Sequence, residues 1–222
     1  MTQTIEVHAY KYDELGDYAK EKVRNRYIEG MSDWWENAII EEAKLQGNKV
    51  GFRIDKVQYS GFCSQGDGAS WSGHVNVLEF MNSFDVSEIG GGRELISALI
   101  DLDYLDSLVN VGQLSHRYSH ANTMGVSEWG TNLDVSHLIE EGTVIEEGIL
   151  AGFNIYENLE SIYLVCETLR TLILDEAKKY ANNIYADLEE AYTQACSKEE
   201  IAQHYTYDVD NPTLFTERGD LI

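Results

Sequence analysis

The sequence predicts an α+β protein: a mostly antiparallel sheet with helices packed on one face and a long C-terminal helical segment. Two observations carry this reading. Short stretches in the first two thirds alternate apolar and polar residues, as half-buried strands do, while the last third repeats apolar residues at steps of three and four, as an amphipathic helix does. A set of such strands extended by a long C-terminal helical run suits an α+β layering. The 222 residues, 43% of them hydrophobic, suffice for a real core and are read as one acidic domain spanning 1–222. There is no internal repeat and no low-complexity linker; a sub-boundary is a candidate only in the glycine-containing stretch 142–152.

The elements follow in order. Thr4-Ile5-Glu6-Val7-His8-Ala9-Tyr10 alternates and reads as a strand. From Asp13 onward, Leu15, Tyr18, Ala19, Val23 and Tyr27 recur at helical spacing, and Gly30 is placed to end that helix. A second helix is expected from Ser32 or Asp33, with Glu36 three residues after Asp33. It carries Trp35, Ala38, Ile39 and Leu45 and is expected to stop at Gly47, making an αα hairpin with the first. Val50 to Tyr59 and Ser70 to Phe80 alternate again, with the turn-rich Ser60–Ala69 between them. Gly90-Gly91-Gly92 breaks the chain before a helical run through Leu95, Ile96, Leu99, Leu102 and Leu105. A hairpin is expected next, with arms Val111–Tyr118 and Met124–Trp129, followed by a short strand at Asn132–Leu138. The clearest signal runs from about Tyr156 to Ala195, where Leu159, Ile162, Tyr163, Cys166, Leu169, Ile173, Ala177, Tyr180, Ile184, Leu188 and Ala191 mark one helix face. That run exceeds a typical globular helix, so a break is expected near Asp175 or Asn182-Asn183.

Charge narrows the function classes. There are 39 acidic residues against 16 basic ones, a formal net charge of -23, and such a field repels phosphate backbones and anionic lipid while attracting basic patches. Direct binding to nucleic acid or to a membrane surface is therefore not expected. No secretory leader pattern and no membrane-length apolar run is evident. The three cysteines, Cys63, Cys166 and Cys196, are odd in number and lack CxxC spacing, which argues for a reducing cytoplasm and against a thiolate metal site. Fourteen tyrosines and one proline mark the acidity as belonging to a folded surface rather than a disordered tail.

Several motifs together resemble a known group. They are Tyr12-Asp13-Glu14-Leu15 with Ala19-Lys20-Glu21-Lys22, the pair Trp34-Trp35, Ser60-Gly61-Phe62 with Ser64-Gln65-Gly66-Asp67-Gly68-Ala69, His116-Arg117-Tyr118-Ser119-His120, and the ending Tyr205-Thr206-Tyr207 to Phe215-Thr216-Glu217. In these the chain resembles small phage and prophage proteins of unassigned role, some labelled antitoxins of a toxin–antitoxin stability system, and it departs from them in the 142–152 region. The resemblance implies a phage setting, with the host-cell cytoplasm as compartment.

Candidate site residues come with two readings. The Ser60–Ala69 loop, with Gln65 and Asp67, is glycine-rich enough to cradle an anion, yet it carries neither GxxxxGK[ST] nor a GxGxxG that opens a helix. A tight inter-strand turn uses the same residues. His116, Tyr118 and His120 would share a strand face, but imidazoles four residues apart on a strand are about 13 Å apart, too far to share a metal. No metal or other cofactor is therefore expected. In an enzymatic or nucleotide-binding reading His116 or His120 transfers a proton, Asp67 orients an imidazole and Arg117 holds an anionic group; Cys63 beside the loop is a candidate nucleophile. In a binding-protein reading Gln65, Asp67, Tyr118 and Trp34 contact a partner, and the acidic residues Glu176, Asp187 and Glu190 of the long helix supply the charge. The partner expected there is a basic, nucleic-acid-binding host protein, such as a CRISPR effector, a restriction enzyme or a toxin. Homo-oligomers stay open.

Overall fold

In the computed structural model, which describes residues 8–31, 34–62, 64–101, 105–114, 119–127 and 159–222, the alternating stretches pair into one antiparallel sheet. Strands β1 (Phe52–Tyr59), β2 (Ala69–Asn76), β3 (Leu108–Gln113) and β4 (Met124–Val126) lie in that spatial order. The register sets Phe52 opposite Val75, Val75 opposite Val109 and Gly73 opposite Val111, so these positions share a face, while Arg53, His74 and Asn110 line up on the other. A bulge between Ile54 and Lys56 switches the alternation of β1. Lys56 then pairs with Ser72 on the polar face and Val57 with Trp71 on the apolar one.

Six α-helices are described: α1 (Asp17–Gly30), α2 (Trp34–Lys49), α3 (Val77–Ser83), α4 (Gly92–Asp101), α5 (Leu159–Ala195) and α6 (Lys198–Thr206). Short 3-10 turns occupy Tyr12–Glu14, Ser87–Ile89 and Ala121–Thr123. The fold is α+β with a long C-terminal helix, as the sequence predicts. Contacts divide the chain into two compact units, one of residues 1–39 with 187–222 and the other of 40–186; the divisions fall within α2 and within α5. The expected sub-boundary at 142–152 and the strand at 132–138 lie outside the described residues.

In the larger unit the apolar sheet face meets α3 and α5. Phe52 centres an aromatic group, with ring centroids 5.3 Å from Trp71, 6.1 Å from Phe80, 5.6 Å from Phe84 and 5.3 Å from Tyr180. Trp71 Nε1 donates to the carbonyl of Ala177 at 3.1 Å, so the most buried indole of the sheet is tied to the middle of α5. Ile162, Cys166, Leu169, Ile173, Ala177, Ala181 and Ile184 form the buried stripe of that helix. The Tyr180 hydroxyl donates to the carbonyl of Ala43 at 2.6 Å and fixes α2 to the same helix.

The smaller unit has its own core of Tyr12, Leu15, Ala19, Val23 and Phe215, with Tyr10, Ala202 and Tyr205 packed against it. Tyr10 and Phe215 exchange two backbone hydrogen bonds of 2.9 Å. Tyr205 stacks on Tyr12 at 5.6 Å and meets Phe215 edge-on at 5.3 Å. Burial pushes the phenols of Tyr12, Tyr27 and Tyr205 above their ordinary pKa, since a phenolate loses hydration there.

Four local expectations are corrected. Gly47 does not end α2, which runs on to Lys49; a side chain at this buried position would sit 3.2 Å from Ile54 Cδ1 and 3.3 Å from the Phe52 carbonyl, so the glycine serves close packing against β1. The alternation from Ser70 to Phe80 is strand only to Asn76, whose side chain accepts the Glu79 N–H at 3.0 Å and caps α3. The hairpin arms are Leu108–Gln113 and Met124–Val126, shorter than expected. No break occurs at Asp175 or at Asn182-Asn183 in α5, because these residues are exposed and the buried stripe holds the helix regardless of their propensity. Of the expected first strand, Tyr10 forms the bridge to Phe215, and residues 4–7 lie outside the described set.

Two expectations follow. Trp71→Ala is expected to cost about 3–5 kcal/mol in chemical denaturation and Trp71→Phe about 1–2 kcal/mol, most of the latter from the lost Ala177 hydrogen bond; a Trp71→Phe variant as stable as wild type would show that the indole N–H contributes nothing. In the smaller unit Lys22 Nζ at 2.7 Å and Arg26 Nη2 at 3.0 Å share Asp220 Oδ1, and these cations hold its carboxyl below the usual carboxylate range. A depressed carboxylate stabilises the folded state above its unfolded pKa of about 3.9, and that contribution is lost as pH falls through the folded value. The melting temperature of Asp220→Asn should thus fall below wild type at neutral pH and converge with it on acidification. A gap that persists to about pH 2 would exclude this account.

Candidate functional site

The Ser60–Ala69 loop and the 119–123 segment meet in the larger unit. At the base of the loop Ser60 N–H donates to the Gly68 carbonyl at 3.0 Å, and Gly68 N–H donates to Ser60 Oγ at 3.2 Å. At the tip Asp67 N–H donates to the Ser64 carbonyl at 3.1 Å, and Ser64 N–H donates to Asp67 Oδ2 at 2.7 Å. A carboxylate that accepts from the backbone of its own turn is the turn chemistry expected of aspartate. Gln65 stands exposed beside it.

Ser60 Oγ also lies 3.3 Å from the Ser119 carbonyl, joining loop to segment. The His120 ring covers Gly68 so closely that a Cβ there would fall 2.6 Å from His120 Cδ2; only glycine leaves room for the imidazole. His120 Nδ1 accepts the Asn122 N–H at 2.9 Å and caps the Ala121–Thr123 turn. An accepting Nδ1 leaves the neutral ring protonated at Nε2, so the free nitrogen can offer a donor to a ligand but not a base. The third wall comes from α5, where the Tyr185 hydroxyl donates to the Gly61 carbonyl at 3.0 Å. The rings of Tyr59, Phe62 and Tyr185 stack in series at 5.6 and 5.5 Å.

The structure thus joins Asp67 and His120 in one loop cluster, each engaged with backbone, with Gln65 at its exposed edge. His116, Arg117, Tyr118 and Cys63 lie outside the described residues. Trp34 opens α2, but its side chain is not among those described; Trp35 is buried with its ring 5.8 Å from Tyr192. On α5, Glu176 accepts from Lys179 Nζ at 2.6 Å, whereas Asp187 and Glu190 are exposed. Cys166 is buried, and burial pushes its thiol up to about 11; Cys196 is half-buried. Among the described residues no group of three or more His, Cys, Asp or Glu could hold a metal ion, and no helix is long and apolar enough to cross a membrane.

Sequence reasoning missed Tyr185, which anchors the loop from 124 residues away. Its position one residue off the buried stripe of α5, beside Ile184, is the signal that could have marked it as reaching for another element.

The model of a family described as a domain of unknown function (DUF8835) matches residues 34–198. No curated protein and no solved structure is significantly similar to the chain. Both segments outside the matched span, 8–31 and 199–222, belong to the smaller unit.

The loop cluster predicts its own mutational pattern. Asp67→Ala and His120→Ala should each lower stability by about 1 kcal/mol through a lost turn hydrogen bond, or roughly 2–4 °C in melting temperature. Gly68→Ala should cost more, because the imidazole must move. Unchanged melting in all three would mean that the cluster is not held by these contacts.

Proposed function

Starting from a chain that belongs to the DUF8835 family, we propose that it is an acidic binding protein that occupies a basic, nucleic-acid-binding surface on another protein. One observation carries this reading: seven of the 16 basic residues pair with the chain's own carboxylates, while a surplus of carboxylates stands at the surface. Lys22 and Arg26 are paired with Asp220, Arg24 with Glu21, Lys44 with Glu41, Arg53 with Glu79, Arg170 with Glu167 and Lys179 with Glu176. Asp187, Glu189 and Glu190 of α5 and Glu199 and Glu200 of α6 stand exposed. With a net charge of -23, that surplus steers basic surfaces towards the chain and phosphate away from it.

The resemblance to phage and prophage proteins suggests where such a partner would be found. The reading is an inhibitor of a host defence nuclease, anti-CRISPR or anti-restriction in kind, or an antitoxin facing its toxin, acting in the host cytoplasm.

A second reading, a small enzyme or nucleotide-binding protein, is favoured by one observation: the Ser60–Ala69 loop and His120 do meet. It requires Asp67 and His120 to give up their backbone hydrogen bonds or to act through their remaining atoms, and it requires His116 and Arg117 at the same place.

Affinity capture from phage-infected cells, followed by titration against the captured protein, tests the first reading. The complex is expected to weaken steeply between about 0.1 and 1 M salt, as the Debye length falls from about 10 to about 3 Å. Reversing charge at Glu176, Asp187 and Glu190 together should weaken it further, while the chain alone should not shift duplex DNA. A salt-independent affinity, or a loss of function confined to Asp67→Ala and His120→Ala, would overturn the proposal in favour of the second reading.

A further inference from the structure

The C-terminal residues of the smaller unit are attached in an unusual way. Between α6 and Phe215 the chain runs through exposed residues, with Tyr207 83% and Val209 75% exposed, so little holds the connector down. Phe215 is then fully buried between Tyr12 and Tyr205, while Leu221 and Ile222 beyond it are again exposed. A single apolar side chain therefore anchors the segment.

Two further attachments are polar. The chain turns back over Thr216–Asp220, where Thr216 N–H donates to the Asp220 carbonyl at 2.7 Å and Gly219 N–H donates to the Thr216 carbonyl at 2.9 Å. Gly219 has a φ of 79°, and a Cβ there would lie 2.7 Å from the Ala19 carbonyl, so only glycine lets the turn rest on α1. Asp220 then sits between Lys22 and Arg26, one helical turn apart on α1, and Arg26 Nη1 also donates to the Gly219 carbonyl at 3.4 Å. These cations are half-exposed, which makes the clamp sensitive to salt.

We propose that residues 214–222 form a releasable strap, clamped to α1 by Asp220 and plugged by Phe215, whose opening uncovers the apolar surface of Tyr12, Ala19, Val23 and Tyr205. A segment held by one buried ring, one two-bond bridge to Tyr10, one tight turn and one shared carboxylate opens at lower cost than α1, whose hydrogen bonds are regular and whose inner face is buried along Ala19 and Val23. The strap is a conformational device of the smaller unit and does not depend on the partner proposed above.

Hydrogen exchange on the full chain tests it. The amides of Phe215, Thr216, Gly219 and Ile222, which donate to Tyr10, Asp220, Thr216 and Leu214 respectively, are expected to exchange together and faster than the central amides of α1. Raising salt from about 0.1 to about 1 M, and separately the substitution Asp220→Asn, should each speed their exchange by about two- to fivefold and leave them ahead of α1. Exchange of these amides at the rate of α1 under every condition, or exchange that responds neither to salt nor to the substitution, would overturn the proposal. The salt series on the unmodified chain decides the matter should the variant fold poorly.

Discussion

The larger unit depends on one constraint: α5 must stay helical across the whole apolar face of the sheet. Trp71 stands at the centre of that contact, with its ring against Phe52 and its N–H on the Ala177 carbonyl. A buried indole without an acceptor would leave an unpaired donor in the core, so the bond selects how β2 and α5 register. The same requirement explains why polar residues such as Asp175 and Asn182 do not interrupt the helix. Their side chains point to water while Ile173, Ala177 and Ala181 are held in the core.

The smaller unit solves a different problem with fewer residues. It joins chain segments far apart in sequence through an aromatic core in which Tyr205 stacks on Tyr12 and meets Phe215 edge-on. Its cations Lys22, Arg24 and Arg26 pair with its own carboxylates, while Asp187, Glu189, Glu190, Glu199 and Glu200 stand exposed. The negative charge is thus a property of the folded surface, because folding places many of the basic groups within reach of the chain's own carboxylates.

In the loop cluster, turn structure takes up the acceptor atoms that an acid–base role would need. Asp67 and His120 have the chemistry of an acid–base pair, yet each directs its acceptor atom at a backbone N–H of its own turn. Turn chemistry alone accounts for Asp67 from sequence, since aspartate after glycine in a short loop favours that bond. Nothing in local sequence places His120 over Gly68 or Tyr185 under Gly61. Those contacts follow from the antiparallel pairing of β2 and β3 and from the path of α5, and both join residues far apart in the chain.

Periodicity determined the α+β class, the strands β1 and β2, and the long helix, because a side chain's face is set by the two-residue repeat of a strand or the 3.6-residue repeat of a helix. Composition determined the acidity. Tertiary structure alone decided that Gly47 stays inside α2 and that Phe215 completes the core around Tyr12, whereas the Asn76 cap that starts α3 is a local signal. The physical reason is common to the first two. Each choice depends on what lies across a contact from the residue, and an interaction energy with a distant partner leaves no periodic trace in the residue's own neighbourhood.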